Sequence, residues 1–363
     1  MKIRAHLESL PQYTPIEPFE VLSERVGRDP SRIVKLDANE NPYGPLPVVR
    51  EALGKLDFPH IYPDPESRAL RKSLAKFTGV GEEYLLAGAG ADELIDLLMR
   101  VLLEPGEAVI SCPPTFGMYP FDADVNAARC LEVPRKADFS LDMESIYKAV
   151  EDYQPKILFV ASPNNPDGSL LDAETADRLL SLPLLVVLDE AYIEFASENL
   201  GAGLSRVREV PSRENLVVLR TFSKWAGLAG LRVGYGAFPL WLMPTLWKSK
   251  QPYNVNVAAS VAAQVSLEHA NDLAKFVERL KRERGRLFAA LQAIPYLKPY
   301  ATQSNFILCQ VIGRDAAELK ARLAREHGVF IRYFNKPGLR DHIRVSVGRP
   351  QDTGELLRAL RNL

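Results

Sequence analysis

The chain contains 363 residues, 47% of them hydrophobic and 25% charged, and carries a formal net charge of −1 at pH 7. This composition is typical of a globular protein of about two domains, and the balanced charge gives no electrostatic basis for binding nucleic acid or an anionic membrane. No apolar run approaches the roughly 20 residues of a membrane span, and the N-terminal residues lack the apolar core of a signal peptide. We therefore expect a cytoplasmic protein that acts on small molecules.

The first thirty residues contain Pro11, Pro15, Pro18 and Pro30 and show little periodicity. This pattern favours an extended N-terminal arm over residues 1–30 instead of a packed helix. An arm of this kind needs a neighbouring surface on which to lie.

A regular alternation of helical and strand patterns begins at about residue 66. The predicted helices cover residues 66–79, 91–103 and 172–182. The predicted strands are short apolar runs at residues 84–88, 107–112, 129–133, 156–162, 182–190, 215–221 and 232–238. Apolar strands separated by helices predict an α/β fold with a mainly parallel sheet and helices on both of its faces, in a large domain over residues 31–250.

The C-terminal part of the chain has a different pattern. A long helical stretch covers residues 255–294 and is followed by a predicted helix at 315–328. Predicted strands at 329–334 and 342–348 precede a last helix near residues 355–363. These elements predict a small α+β domain over residues 251–363.

Cysteine and histidine give no sign of a disulfide or a metal site. Cys112, Cys130 and Cys309 are an odd number at wide spacing, without a CxxC pair. The five histidines show no HExxH or other paired-ligand spacing. We expect reduced thiols and no bound metal.

Polar residues follow several of the predicted strands, where ligands bind in open α/β sheets. The glycine-rich turn from Gly88 to Asp92 leads into a helix, so its backbone N–H groups suit a phosphate. A plain tight turn is equally compatible, and a dinucleotide site is disfavoured because Glu93 stands where GxGxxG requires glycine. The segment SPNNPDG, which contains Asn165, could likewise be only a turn.

The next two strands end in residues with clearer chemical meaning. Asp189 ends a run that is too apolar to hold a carboxylate without a cationic or donating partner, and Tyr192 follows closely. A helix cap or a structural ion pair is the alternative. Lys224 lies between Ser223 and Trp225, and it is either a surface lysine or a partly desolvated amine suited to forming a Schiff base.

The groups after these strands are together those that pyridoxal 5′-phosphate requires. A lysine forms the Schiff base, a carboxylate keeps the pyridine nitrogen protonated, asparagine and tyrosine bind the ring oxygen, and glycine, threonine, serine and arginine bind the phosphate. Each motif is weak when taken alone. Their order along the chain and their positions after strands are the stronger signal.

The sequence resembles the fold-type I pyridoxal-phosphate aminotransferases in Asn165, in the segment from Asp189 to Tyr192, in Ser223 with Lys224, and in Arg232. It resembles most closely the histidinol-phosphate aminotransferases of class II, from about residue 10 to the last helix. That resemblance rests on the segments KLDANENPYGP, YPDP, GAGADE, CPPTFGMY, SPNNPDG, LDEAYIEF, TFSKWAGLAGLRVGY and VFIRYFNKPGLRDHIRVSVG.

The resemblance implies a homodimeric enzyme of histidine biosynthesis. Such an enzyme transfers an amino group between histidinol phosphate or imidazole-acetol phosphate and 2-oxoglutarate or glutamate by a ping-pong mechanism. An aromatic-amino-acid aminotransferase and a threonine-phosphate decarboxylase are alternatives that keep the cofactor. A binding module without catalysis is disfavoured, because it would have no reason to keep Lys224.

The resemblance also implies roles for individual residues. Lys224 is expected to bond to the cofactor and to move the proton, Asp189 to bind the pyridine nitrogen, and Asn165 and Tyr192 to bind the ring oxygen. The other expected cofactor contacts are Ala89, Gly90, Ala91, Asp92, Phe116, Thr221, Ser223, Arg232 and, reaching into the partner's site, Tyr62.

On the substrate side, Arg344 is expected to bind the α-carboxylate, and Arg332 and Tyr13 are expected to bind the phosphate of histidinol phosphate. Asn39 is expected to line the same pocket, although a role in a turn is equally compatible. Two positions depart from the pattern of many relatives: Phe116 replaces tyrosine, so ring stacking is kept without a hydroxyl, and Asp167 replaces threonine beside the retained Asn165.

Overall fold

The computed structural model describes residues 2–8, 10 and 17–363, so Tyr13 lies outside the described part of the chain. The helices are α1 (Ala5–Glu8), α2 (Phe19–Val26), α3 (Pro47–Gly54), α4 (Arg68–Thr78), α5 (Ala91–Leu102), α6 (Met118–Val125), α7 (Met143–Tyr153), α8 (Ala173–Leu180), α9 (Met243–Ser249), α10 (Val257–Glu268), α11 (Ala270–Gln292), α12 (Ala316–Arg322) and α13 (Pro350–Asn362). The strands are β1 (Val34–Leu36), β2 (Leu85–Gly88), β3 (Ala108–Ser111), β4 (Arg129–Glu132), β5 (Ile157–Ala161), β6 (Leu185–Asp189), β7 (Leu216–Thr221), β8 (Gly234–Ala237), β9 (Leu297–Pro299), β10 (Phe306–Val311), β11 (Val329–Tyr333) and β12 (His342–Ser346). Within the described ranges, no helix is both long enough and apolar enough to cross a membrane.

Strands β2 to β8 form one sheet, in the order β2-β8-β7-β6-β5-β3-β4. β8 is antiparallel to both of its neighbours, β2 and β7, and the other neighbouring strands pair in parallel. All seven predicted strands are therefore confirmed, with ends that differ by up to three residues. The mainly parallel sheet of the predicted fold is confirmed with them.

Successive side chains of this sheet pack on opposite faces. On β5, Leu158 and Val160 join an apolar cluster with helices α4, α7, α8 and α10, whereas Ile157 and Phe159 join a second cluster with α5, α6 and α9. Both faces are thus covered by helices, as continuous apolar strands require. Every residue of β5, β6 and β7 is buried, so the chain first leaves the apolar layer at the ends of these strands.

A second sheet of five strands has the order β1-β11-β12-β10-β9. β1 pairs in parallel with β11, from Val34 opposite Val329 to Leu36 opposite Ile331, and the remaining pairs are antiparallel. The sequence predicts β11 and β12 but neither β1 nor β10. Because β1 has only three residues, its pattern alone does not indicate a strand. The division of the chain at residues 30 and 250 stays a prediction, although β1 from the N-terminal side joins the C-terminal strands.

The prediction of an extended arm over residues 1–30 is wrong for Ala5–Glu8, which form helix α1, and for Phe19–Val26, which form helix α2. This helix buries Leu22 against Ile33, Ala324 and Phe330, and its end is capped by Gly27 in the left-handed conformation. The prediction took the prolines as a sign against a helix. Pro18, however, lies at the N-cap of α2, where proline is compatible with the helix that follows.

The predicted helical stretch over residues 255–294 is two helices, α10 and α11, because His269 has a non-helical backbone with ψ of 28°. The predicted helix over 315–328 is α12 followed by one π-helical turn, Leu323–His327, which ends at Gly328. The predicted helices at 66–79, 91–103 and 172–182 are confirmed as α4, α5 and α8.

Candidate active site

The site begins at the carboxyl ends of β5, β6 and β7, which are neighbours in the large sheet. Ala161 lies opposite Asp189, and Asp189 lies opposite Leu219. The segments that follow these strands contain Asn165, Tyr192 and Lys224, so the sheet brings together three groups that are far apart in the sequence. This juxtaposition is the one expected from the strand pattern.

Asp189 is a buried carboxylate with two hydrogen bonds. Its Oδ2 accepts from the Tyr119 hydroxyl at 2.8 Å, and its Oδ1 accepts from the backbone N–H of Ala191 at 3.1 Å. Burial raises the pKa of Asp189 to about 6, although both hydrogen bonds and the charge of Lys224 oppose this rise. A carboxylate in such a position binds a cationic group well, and a protonated pyridine nitrogen is such a group. The sequence did not reveal Tyr119, because nothing in CPPTFGMY distinguishes it from an ordinary core tyrosine.

Lys224 lies beside Tyr192, and its charge acts on Asp189. Its Nζ donates to the Ala38 carbonyl at 3.2 Å and lies 6.0 Å from the centre of the Tyr192 ring. The amine is therefore held at the sheet edge by the main chain of a segment that precedes the large sheet in sequence.

Two hydroxyl groups next to Lys224 are already ordered within the protein. The Thr221 hydroxyl donates to the Ser223 hydroxyl at 2.9 Å and accepts from the backbone N–H of Ser223 at 3.1 Å. Both side chains are buried. The pair forms a small cluster of donors at the end of β7, suited to an anion.

The glycine-rich turn and Arg232 lie against each other. Gly90 has a φ of +86° and is the N-cap of α5, and a methyl group added to it would lie 2.5 Å from Nη2 of Arg232. The positive φ favours glycine here, and the missing side chain leaves room for the Arg232 guanidinium. Arg232 Nη2 donates to Asp92 at 2.8 Å, and both side chains are about half exposed. Ala91 is the first residue of α5, whereas the N–H of Ala89 donates to Glu93 at 2.6 Å and so already has a partner.

Two predicted aromatic contacts occupy different surroundings. Phe116 packs edge-on against Tyr119, with ring centres 5.7 Å apart, so it lies beside the residue that binds Asp189. Tyr62 is 79% exposed and stacks on Tyr253 at 4.7 Å. The structure thus brings Phe116 into the site and leaves Tyr62 on the surface of the chain.

The second sheet contributes Arg332 and Arg344, two of the four predicted substrate residues. Arg332 on β11 lies directly opposite Arg344 on β12, and both guanidinium groups lie over the Phe334 ring, at 5.8 and 5.5 Å. The buried Arg344 donates to the Asp37 carbonyl at 2.8 Å and to the side-chain oxygen of Asn165. Arg344 is therefore the direct contact between the second sheet and the turn after β5.

The turn after β5 is held by its own polar groups. Asn164 accepts from Thr115 at 2.7 Å and donates to the Pro114 carbonyl at 3.0 Å, which ties this turn to the loop before Phe116. Asp167 is buried, and it accepts from Asn164 and from the backbone N–H of Ser169 at 2.8 Å. The departure from threonine at this position thus closes the turn and leaves Asn165 in contact with Arg344.

Asn39 is buried at the junction of the two sheets. Its Nδ2 donates to the Tyr192 hydroxyl at 3.0 Å, and its Oδ1 accepts from the Ser346 hydroxyl at 2.9 Å. Its backbone adopts the left-handed conformation with a φ of +56°. The site residue that sequence reasoning missed here is Ser346, whose side chain looks like any polar group on a strand.

This donor set fits pyridoxal 5′-phosphate. Asp189 is a buried carboxylate with two donors and a nearby amine, and Arg232, Thr221 and Ser223 surround the start of α5 with donors for a phosphate. Among the residues that the structure describes, no three histidine, cysteine, aspartate or glutamate side chains come together as metal ligands.

Comparisons with known proteins agree with this geometry. The family model for aminotransferases of class I and II matches residues 31–360. The chloroplastic histidinol-phosphate aminotransferase of Nicotiana tabacum is 56% identical over 361 residues, which cover 99% of this chain and 86% of the relative. The histidinol-phosphate aminotransferase of Roseiflexus castenholzii is 49% identical over 368 residues, covering 99% and 98%. The solved structure of the Sinorhizobium meliloti histidinol-phosphate aminotransferase in complex with pyridoxal-5′-phosphate is similar with a TM-score of 0.90 at 27% identity, covering 99% of this chain and 98% of the other.

Proposed function

The chain belongs to the class I and II aminotransferases, and from this premise we propose that it transfers an amino group between histidinol phosphate or imidazole-acetol phosphate and 2-oxoglutarate or glutamate. Its cofactor is pyridoxal 5′-phosphate, and the reaction serves histidine biosynthesis. The observation that carries the proposal is the direct contact between Arg344 and Asn165, because it joins the substrate-binding sheet to the cofactor-binding edge. Identities of 56% and 49% to histidinol-phosphate aminotransferases over 99% of the chain support the choice of substrate.

The large sheet would hold the cofactor. When bound, pyridoxal 5′-phosphate supplies an electrophilic carbon and a ring that accepts electrons from the substrate carbon. Lys224 would hold the cofactor at that carbon and move the proton on the substrate, and Asp189 would keep the ring nitrogen protonated. Tyr192 and Asn165 would bind the ring oxygen. The phosphate would be bound by the main chain of Gly90, Ala91 and Asp92 at the start of α5 and by the side chains of Thr221, Ser223 and Arg232. Phe116 would pack on the ring.

The second sheet would hold the substrates. Arg332 and Arg344 both have planar guanidinium groups, which bind carboxylates and phosphates through paired hydrogen bonds. Histidinol phosphate has no carboxylate, so in that half-reaction Arg332 binds its phosphate with help from Arg344. Glutamate uses both arginines for its two carboxylates. Tyr13 is proposed to join Arg332 at the phosphate, although it lies outside the described residues.

We propose that the protein works as a homodimer in which Tyr62 reaches the partner's cofactor phosphate. Support comes from the exposed apolar side chains Phe58, Ile61, Tyr62 and Tyr253, since such residues mark interaction surfaces. Sedimentation of the purified protein tests this proposal. An active monomer at assay concentration would contradict it.

We also propose that the protein acts in the cytoplasm, although the tobacco relative is named as chloroplastic. The support is chemical: Cys112, Cys130 and Cys309 are all free thiols, as is usual in reducing compartments. Cell fractionation with an antibody against the native protein tests it.

One assay tests the main proposal. Purified protein is mixed with histidinol phosphate and 2-oxoglutarate, and glutamate formation is followed. Phenylalanine and tyrosine as donors, and carbon dioxide release from threonine phosphate, are measured in parallel. Faster turnover of an unphosphorylated aromatic amino acid, or carbon dioxide release without transamination, would replace the proposal by one of its two alternatives.

A further inference from the structure

Ser346, Asn39 and Tyr192 form a buried chain of hydrogen bonds from the second sheet to the cofactor edge. Ser346 is the last residue of β12, and all three side chains are at most 6% exposed. The backbone N–H of Asn39 donates to the Ser346 hydroxyl oxygen at 2.8 Å, and that hydroxyl donates to Asn39 Oδ1 at 2.9 Å. Asn39 Nδ2 donates to the Tyr192 hydroxyl at 3.0 Å.

The direction of these hydrogen bonds follows from Ser346. A serine hydroxyl has a single proton. Its oxygen accepts from the backbone N–H of Asn39, and its proton goes to Asn39 Oδ1, so the amide nitrogen faces Tyr192. With the opposite amide orientation, both lone pairs of the Ser346 oxygen would accept from Asn39 and its proton would lose the acceptor that it has here. Tyr192 would then have to give its own proton to Asn39.

This polarity determines what Tyr192 can do. Its oxygen accepts from Asn39, so its own proton is available to a second partner. Asn39 itself has no polar atom without a protein partner: its carbonyl accepts from Asn305 at 2.9 Å, and its N, Oδ1 and Nδ2 atoms bind Ser346 and Tyr192. A direct contact of Asn39 with substrate stays a prediction.

We propose that Asn39 is a positioning residue that acts through Tyr192. It holds the Tyr192 hydroxyl as a donor toward the ring oxygen of the cofactor, and it connects that hydroxyl to the strand that contains Arg344. Ser346 and Arg344 are two residues apart on β12, so their side chains are on the same face. This inference rests on the proposed function, since it requires a cofactor oxygen as the second partner of Tyr192.

The test uses the cofactor-bound protein and the pH dependence of its visible absorption. The variants are Asn39→Gly, Tyr192→Phe and the double variant. Glycine is chosen because it keeps the left-handed backbone at position 39 without strain. A hydrogen-bond donor to the ring oxygen of the cofactor stabilises the deprotonated form of that oxygen. Losing the donor therefore raises the pH at the midpoint of the change in visible absorption.

We expect Tyr192→Phe to raise the midpoint by about 0.5–1 pH unit, the effect of one hydrogen bond. Asn39→Gly should raise it by a smaller amount and add nothing in the Tyr192→Phe background, because its effect passes through the missing hydroxyl. Ser346→Ala should act in the same direction as Asn39→Gly, since the amide of Asn39 is then free to rotate.

Asn41→Ala is the matched control. Asn41 belongs to the same segment and is buried, but it donates to the Trp225 carbonyl at 2.9 Å and not to Tyr192. The Asn41→Ala variant should have a lower unfolding temperature and an unchanged midpoint of the absorption titration.

Additive shifts in the double variant would overturn the inference, because Asn39 would then act independently of Tyr192. An unchanged midpoint in Asn39→Gly combined with a raised KM for histidinol phosphate would also overturn it, in favour of direct substrate contact. A wild-type protein that takes up no pyridoxal 5′-phosphate would instead overturn the proposed function, and the inference with it.

Discussion

The two sheets contribute to the site in different ways. The large sheet presents Asp189, Tyr192 and Thr221 at the ends of adjacent buried strands, and each is already hydrogen-bonded within the protein. The second sheet presents Arg332 and Arg344, whose guanidinium groups both lie near the Phe334 ring. Buried groups with fixed hydrogen bonds are suited to a cofactor that stays bound. Guanidinium groups, which bind either a carboxylate or a phosphate, are suited to two substrates that exchange. The predictions below follow this contrast.

The largest effect is expected at Lys224 on the cofactor side. Lys224→Ala should lose at least about 10²–10⁴-fold in activity, the contribution of a general acid–base group, because it removes the amine held at the Ala38 carbonyl. Reduction with borohydride should no longer attach the cofactor to the protein. Retention of a covalently attached chromophore in this variant would mean that another lysine forms the bond.

Asp189→Asn should separate activity from stability. Activity should fall about 10²–10³-fold, the size of a lost electrostatic stabiliser, because an amide does not hold the ring nitrogen protonated. Near-normal turnover would remove the role of Asp189 as the partner of the ring nitrogen.

Without cofactor, the same variant should be more stable than the wild type at pH 8. Burial raises the pKa of Asp189 from 3.8 to about 6, so the native state holds its proton longer than the unfolded chain and loses stability as pH rises from about 4 to 6. Above that window the wild-type carboxylate costs on the order of 2–3 kcal/mol, which asparagine avoids. Thermal unfolding of both cofactor-free proteins at pH 5 and pH 8 measures the difference, and a variant less stable than the wild type at pH 8 would contradict the prediction.

Arg332→Leu should weaken substrate binding and leave cofactor binding unchanged. The side chain is only half-buried, so kcat/KM for histidinol phosphate should fall by about 2 kcal/mol, or roughly 30-fold, the lower end of the range for a broken charge pair. Unphosphorylated aromatic substrates should lose much less. Arg340→Leu is the control, since Arg340 is exposed in the loop between the same strands. Equal losses for phosphorylated and unphosphorylated substrates would show a structural role for Arg332.

Arg344→Leu should affect the glutamate half-reaction more strongly than the histidinol phosphate half-reaction. Because Arg344 also holds Asn165 and the Asp37 carbonyl, this variant should weaken cofactor binding as well. Single-turnover kcat/KM for each half-reaction, together with the dissociation constant of the cofactor, separates the two effects. Unchanged cofactor affinity would show that the two sheets act independently.

The smallest effect is expected at Asp92. Its carboxylate competes with a phosphate for Arg232, but both side chains are about half exposed and such pairs contribute about 0–1 kcal/mol. Asp92→Asn should therefore tighten cofactor binding by no more than about fivefold, and less at high salt. Asp96→Asn, one turn further along α5 and paired with Arg100, is the control. Weaker binding in Asp92→Asn would mean that Asp92 assists the phosphate.

The contrast between the sheets also explains what the sequence could reveal. The central strands β5, β6 and β7 are largely apolar runs, and Asp189 and Lys224 stand out because each places a charge at or shortly after the end of such a run. Arg332 and Arg344 are ordinary strand residues, and they were identified through family resemblance alone. Tyr119 and Ser346 were missed because their partners, Asp189 and Asn39, lie 70 and 307 residues away. The sequence pattern around a residue does not indicate which distant residue it will contact.

The pairing of β1 with β11 determines when the site can form during synthesis. Val34 must find Val329, which is 295 residues later, whereas the strands of the large sheet are complete by Ala237. At roughly 5–20 residues per second, the ribosome needs about 15–60 s to deliver the second partner. During this interval, Asn39 and the carbonyl that holds Lys224 are on a segment without its strand partner. A nascent chain therefore completes the strands of its large sheet before it can bring that sheet together with the substrate arginines.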